Sequence, residues 1–311
     1  MLFRSWEYGY DKGKMVGWLR QKRRPEHPKR VVFVTGEARY DENRWVKVLG
    51  IKDHTQFASI DANFDDGSNR VEVTTKNVAA LALDWKDAGV PPEATLVVDG
   101  KTLGKAGEDR AFIDFASGAP VHVAEAPSFA GRKHAGVAGP IDDVQRHAAV
   151  VVYGTQRADE VEANRALAEH VAAVLHANLH FPIKSDVEVG AEELASQSVI
   201  LIGRPETNKV TASLAASLPV TFEKDALVFR KKRQEGADVG IALVQPNPKN
   251  ADEYLVLYAG ASRAGTLAAR HLPQLVPDYV VFDKRIVALR NALTLGKVKV
   301  RDGGFFDASW K

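Results

Sequence analysis

Short runs of apolar and β-branched residues alternate with polar turn clusters from Val31 to about Val123. They are Val31–Thr35, Arg44–Ile51, Phe57–Phe64, Val71–Thr75, Val78–Asp84, Thr95–Val98, Ala111–Phe115 and Val121–Val123. Several have period two, as in Val71-Glu72-Val73-Thr74-Thr75, which gives each strand one wet and one buried face. The breaks at Asp41-Glu42-Asn43, Asp65-Asp66-Gly67 and Asp99-Gly100 carry turn chemistry, and the last two contain the Asp-Gly pair favoured in tight hairpins. The pattern predicts a small β-sandwich over residues 31–126. Ahead of it, Met15, Val16, Trp18 and Leu19 fall at helical spacing between a glycine and Pro25. This predicts one amphipathic helix over Lys12–Arg24 within an N-terminal segment of residues 1–30.

Residues 127–139 are rich in Gly, Pro and Ala and read as a linker. Beyond it the periodicity changes. Strand-like runs Ala148–Tyr153, Ile183–Val189, Ser198–Ile202, Val239–Val244, Tyr254–Tyr258 and Tyr279–Phe282 take turns with helical ones at Asp159–Ala177, Ala191–Ser196, Lys209–Leu218 and Arg263–Leu275. Such alternation implies crossover connections, hence a Rossmann-like or flavodoxin-like, mostly parallel sheet over residues 140–311. A last helix, Val287–Leu295, and a C-terminal clasp ending at Trp310 complete it. The predicted class is therefore α+β followed by α/β.

Composition narrows the function only by exclusion. The chain has 311 residues, 45% hydrophobic and 26% charged, which fits soluble globular protein and favours two cores over one. Forty-two basic residues against 40 acidic ones leave a formal charge of +2, too little for a general attraction to phosphate backbones. The basic runs Arg20–Arg24 with Lys29–Arg30, and Arg230–Arg233, read as solvated faces. Absence of cysteine removes disulfides and thiolate metal sites. Met1 to Glu7 has no apolar core of signal-peptide length, and no apolar run approaches the ~20 residues of a membrane span.

Two loops follow predicted parallel strands directly: Gly154-Thr155 after Ala148–Tyr153, and Gly203-Arg204-Pro205 after Ser198–Ile202. Loops at the carboxyl edge of a parallel sheet commonly hold small ligands, so Gly154, Thr155, Gly203, Arg204 and Asn208 are the candidate ligand-binding residues. Neither a dinucleotide fingerprint nor a phosphate loop occurs, and sharp strand-to-helix turns need small residues in any case. No cofactor is implied. Ser262 lies in Gly260-Ala261-Ser262-Arg263-Ala264-Gly265, between a strand and a helix, the setting of a serine nucleophile. Ala264 stands where the elbow wants glycine, and His271 is in the same predicted helix, so a helix cap is the simpler reading of Ser262.

His176 and His180 are four apart, but His170 and His176 fall on different faces of a helix, His180 sits near its end before Pro182, and no carboxylate lies among them, so no metal site is assigned. Asp142-Asp143 and Asp65-Asp66 fit turns and caps. Trp45, Phe57, Phe64 and Trp85 read as sandwich core; polymer binding would need their rings to face outward.

Several stretches together resemble the non-catalytic C-terminal region of bacterial prolyl-oligopeptidase-like peptidases and esterases. They are Asp11–Arg24, Arg44-Trp45-Val46-Lys47-Val48, Asn69–Val78, Gly139-Pro140-Ile141-Asp142-Asp143 with Val152-Tyr153-Gly154-Thr155, Ile202–Asn208, Leu218-Pro219 and Asn247–Gly260. The resemblance implies a β domain and an α/β domain after a serine-hydrolase catalytic domain, whose Gly-x-Ser-x-Gly elbow does not occur here. It carries no active-site residue over. The expected role is a non-catalytic accessory or assembly module of a secreted or envelope hydrolase. Its partner would be the catalytic domain, a polymer substrate or other copies, with an extracellular or periplasmic location if it derives from an exported parent. The alternatives are a hydrolase in its own right at the carboxyl edge, and a self-assembling structural protein pairing through an edge strand. A serine relay would reveal itself as a hydroxyl, an imidazole and a carboxylate within bonding reach.

Overall fold

Burial along the first strands follows the period-two pattern. Ala58, Ile60, Ala62 and Phe64 point inward from one strand while Ser59, Asp61 and Asn63 point the other way. The structure, a computed structural model, describes residues 10, 13–23, 25–129, 131–175, 181–286 and 299–311. The predicted helix Val287–Leu295 lies outside these residues, as do His176, His180 and the first nine positions. The architecture is mixed α+β with several sheets.

The first ten strands are β1 (Arg30–Thr35), β2 (Glu42–Asn43), β3 (Val46–Ile51), β4 (Ala58–Asp65), β5 (Arg70–Lys76), β6 (Val78–Asp84), β7 (Thr95–Val98), β8 (Lys101–Lys105), β9 (Arg110–Asp114) and β10 (Val121–Val123). They form two five-stranded sheets, ordered β1-β4-β5-β7-β8 and β10-β9-β6-β3-β2. Val31, Ile60, Val71 and Leu96 from the first sheet share one core with Val46, Leu81, Leu83 and Ile113 from the second. Trp45 and Trp85 lie within it, and each indole N–H donates to a carbonyl, Pro28 and Ala106 respectively, both at 2.7 Å. Phe57 departs from the expectation: its ring is 70% exposed. Asp99 and Gly100 both have positive φ, 48° and 79°, as a two-residue hairpin between β7 and β8 requires.

The remaining strands are β11 (Ala149–Tyr153), β12 (Ile183–Ser185), β13 (Ser198–Ile202), β14 (Val220–Glu223), β15 (Ala226–Phe229), β16 (Lys232–Glu235), β17 (Gly240–Asn247), β18 (Asn250–Gly260), β19 (Tyr279–Phe282) and β20 (Asp302–Gly304). A seven-stranded sheet runs β12-β11-β13-β18-β17-β19-β20. β12, β11, β13, β18 and β19 run in one direction, and β17 and β20 run against them. The pairs β11–β12, β11–β13 and β13–β18 are parallel, whereas β17–β18, β17–β19 and β19–β20 are antiparallel. β17 is reversed because its short connection to β18 closes a hairpin and leaves no chain for a crossover. β14, β15 and β16 add a three-stranded antiparallel sheet absent from the prediction.

The helices are α1 (Lys14–Arg20), α2 (Trp85–Ala88), α3 (Val161–His170), α4 (Ala191–Ser196), α5 (Lys209–Leu214) and α6 (Arg263–Ala268). α5 and α6 are shorter than predicted because Pro219 and Pro273 follow. The residues before them, Leu218 and Leu272, take ψ near 141°, as a following proline demands. Leu167 and Ala168 of α3 and Ala268 of α6 cover one face of the seven-stranded sheet. Val210 and Leu214 of α5 with Leu227 and Phe229 of β15 cover the other. α1 buries no residue at all.

Segment 127–139, expected as a linker, is tied in. Lys133 is buried and ion-paired with the buried Asp278, whose Oδ2 also accepts the Phe306 N–H at 2.8 Å. Nearby, Tyr254 Oη accepts the N–H groups of Ala138 and Gly139 and donates to Asp143 Oδ2 at 2.6 Å. Arg39, from the loop after β1, reaches the same carboxylate at 3.1 Å.

Candidate functional site

The five residues selected from the sequence do meet at the carboxyl edge of β11 and β13. Gly154 is required there: a Cβ would stand 2.2 Å from the Thr207 carbonyl oxygen. Gly203 takes φ +110°, and a Cβ on it would strike Thr207 Oγ1 at 2.5 Å. Asn208 caps α5, its Oδ1 accepting from the N–H groups of Val210 and Thr211. Its Nδ2 donates to the carbonyls of Val152 and Ile202, both at 3.1 Å.

Partners the sequence did not single out complete the cluster. Buried Asp186, just after β12, accepts from Thr155 N at 3.1 Å, Thr155 Oγ1 at 2.6 Å, Gln156 Nε2 at 2.9 Å and Lys209 N at 2.6 Å. Arg204 forms a bidentate pair with buried Glu160, at 2.9 and 2.8 Å, and reaches Glu206 at 3.2 Å. Burial works against its charge, but the two glutamates outweigh that and raise its pKa. Asn164 donates to the Gly154 carbonyl at 3.0 Å, and Thr211 Oγ1 to the Gly203 carbonyl at 3.0 Å.

The donors that a small anion would use at this edge therefore already serve acceptors of the chain itself: the carboxylates of Asp186, Glu160 and Glu206 and the Asn208 amide oxygen. Chemically the cluster is a brace that fixes two strand ends, α3 and α5 in one geometry. Thr155→Val, which deletes one hydroxyl bond to Asp186 and keeps the volume, should cost about 1–2 kcal/mol in chemical denaturation.

Ser262 acts as a cap. Its Oγ accepts from Ala264 N at 3.1 Å and donates to the Ala237 carbonyl at 2.6 Å, so its proton faces a backbone oxygen and not an imidazole. Glycines flank it for packing: a Cβ on Gly265 would meet the Val239 carbonyl at 2.1 Å. The His271 ring nitrogen instead accepts from Arg270 Nε at 3.2 Å.

A hydroxyl, a carboxylate and an imidazole do come together elsewhere. Ser198 Oγ donates to Glu253 Oε2 at 2.6 Å, and His147 Nδ1 lies 2.9 Å from the same oxygen. The order is wrong for a nucleophile relay, because the carboxylate stands between hydroxyl and imidazole. Ser198 is also fully buried, its Oγ taken by the Tyr254 N–H at 2.8 Å. His147 Nε2 lies 3.1 Å from the Gly136 carbonyl, which pins the loop before β11 to the start of β18.

Among the described residues no group of three or more His, Asp or Glu side chains is placed to hold a metal ion. His170 is partly buried at the end of α3 with an unpartnered Nε2, and burial lowers its pKa. Asp142 and Asp143 have opposite surroundings. Asp143 is fully bonded, while burial alone pushes the Asp142 carboxyl up to about 7. A surface cleft of about 360 Å³ lies between Leu218, Pro219, Gln245, Pro246 and Trp310, and no ionisable side chain lines it. No helix among the described residues is long and apolar enough to cross a membrane.

Neither comparison with protein-family models nor a search of curated proteins finds a match to this chain.

Proposed function

We propose that the chain is a non-catalytic accessory or assembly module: a β-sandwich followed by a Rossmann-like domain, working beside a bacterial serine-hydrolase catalytic domain. Its contribution is contact with that domain, with a polymer substrate or with other copies of itself. One observation carries the reading: the residues best placed for chemistry spend their polar groups on one another. Thr155, Arg204 and Asn208 serve Asp186, Glu160 and the end of α5, and Ser262 serves α6. The resemblance of Gly139–Thr155 and Ile202–Asn208 to the region behind such catalytic domains supports the choice of partner.

An ester and peptide turnover screen on the wild-type chain and Ser262→Ala tests it. The expected result is no turnover above background in either protein, with the substitution costing about 1 kcal/mol of stability through the lost cap. Robust wild-type turnover that disappears in Ser262→Ala would establish the competing reading, a hydrolase in its own right.

A further inference from the structure

We infer that α1 is a membrane-surface anchor, lying flat on an anionic lipid bilayer with its apolar side chains below the headgroups and its cations among them. This goes beyond the accessory reading, which names no lipid partner. At about 100° per residue an ideal helix puts Met15, Val16, Trp18 and Leu19 within one arc of about 160°, and Lys14, Gly17 and Arg20 on the opposite side. The rest of the chain leaves that arc open. Val16 is 42% exposed, Trp18 57% and Leu19 51%, and no residue of α1 is buried. Two turns of helix have little stability in water without packing, so a surface that covers the arc also holds the helix together.

Charge names the surface. From Lys12 to Pro25 the chain holds six cations, Lys12, Lys14, Arg20, Lys22, Arg23 and Arg24, and no acidic residue, against a formal charge of +2 for the whole chain. Among the described residues Arg20 and Arg23 have no acidic partner, and both are exposed. Lys29 and Arg30, just beyond, are already paired with Asp66 and Asp61, so the free positive charge is concentrated at the end of α1. Lys22 reaches back over Trp18, its Nζ 4.9 Å from the ring centroid. That puts a cation at the rim of the apolar arc, the level at which indole rings and snorkelling lysines sit in a bilayer interface.

A nucleic acid would use the cations and leave Trp18 and Leu19 wet. A neutral bilayer would take the apolar arc and leave the cations unmatched. An anionic bilayer satisfies both in one plane, with phosphates at the height of Arg20 and Arg23 and the acyl boundary beneath Trp18. The helix lies on the surface and does not cross it, because its seven residues span only about 10 Å.

Co-sedimentation of the full chain with vesicles of equimolar phosphatidylglycerol and phosphatidylcholine, beside vesicles of phosphatidylcholine alone, reads the outcome. Binding is expected on the anionic vesicles and roughly tenfold or more weaker on the neutral ones. Arg20→Gln and Arg23→Gln should each weaken it about fivefold, and Trp18→Ser roughly tenfold or more. Added salt should weaken it too, by screening. All three positions are exposed, and an unchanged thermal melt of each variant shows that the fold is intact. No sedimentation with either vesicle, equal binding to both, or binding indifferent to Trp18→Ser overturns the inference. Equally strong binding to soluble polyglutamate that survives Trp18→Ser also overturns it, by making the cations a patch for an acidic protein. None of these outcomes bears on turnover by Ser262, so the accessory reading and the lipid anchor fail separately.

Discussion

Lys133→Met should destabilise the folded chain by about 3–5 kcal/mol, the usual cost of leaving a buried charge without its partner. Lys133 and Asp278 are both buried, and the lysine ammonium lies 4.9 Å from the Trp310 ring centroid. Asp278 Oδ1 already lacks a donor, and a Cβ on Gly139 would strike it at 2.2 Å, so little room exists for water to compensate. Burial raises the Asp278 pKa even with Lys133 present. Without the lysine the ionised form is penalised further. A raised folded-state pKa gives stability that is retained at low pH and lost as pH rises through it, so the deficit should be largest at neutral pH and shrink on acidification. The double variant Lys133→Met/Asp278→Asn should recover most of the loss. Urea denaturation at several pH values measures all three proteins, and a single-variant deficit below about 1 kcal/mol at pH 7 would show that the pair is not the tie it resembles.

Asp142→Asn should have the opposite sign. The carboxyl is pushed by burial from 3.8 to about 7, with no partner to favour its charge. At about 1.4 kcal/mol per pH unit the displacement corresponds to roughly 4 kcal/mol, and partial exposure reduces it to about 1–3 kcal/mol. The folded value lies above the unfolded one. The wild type is therefore unpenalised below pH 4, loses stability between pH 4 and 7, and stays at the lower level above. The asparagine variant avoids that loss, so the two stability curves should coincide near pH 4 and separate by about 1–3 kcal/mol at pH 8. Curves that remain parallel across this range would remove burial of the Asp142 charge as the cause.

Both predictions depend on contacts that no local pattern announces. Lys133 and Asp278 are 145 positions apart, and Lys133 stands in a Gly- and Ala-rich stretch that reads as linker. Strands with one buried face were legible, because burial imposes alternation on residues such as Ala58–Phe64. β8 was not, since none of Lys101–Lys105 is buried and no apolar run marks it. β14, β15 and β16 escaped for a second reason. Their turns use Asp225, Arg230 and Lys231 at positive φ, where the usual signal is Gly or Asn, and the charges of Arg230–Arg233 read as a solvated run.

At the carboxyl edge, strand-turn-helix order was enough to bring Gly154, Gly203 and Asn208 together. What those residues bind there was not readable, because Asp186 is 31 positions from Thr155 and Glu160 is 44 from Arg204. Phe57 is in phase with Ser59, Asp61 and Asn63, the outward set of β4, so the alternation itself places its ring outside and only its aromatic character suggests core.

The Asp186 carboxylate has a consequence for any search for small anionic ligands. The fold holds it within reach of Thr155 and Lys209, so its effective concentration at those donors is set by the folded structure and not by the solution. A free phosphate or carboxylate must compete with a permanently resident rival at equal or better geometry. In this protein the natural berth for a guest's negative charge is occupied by the host.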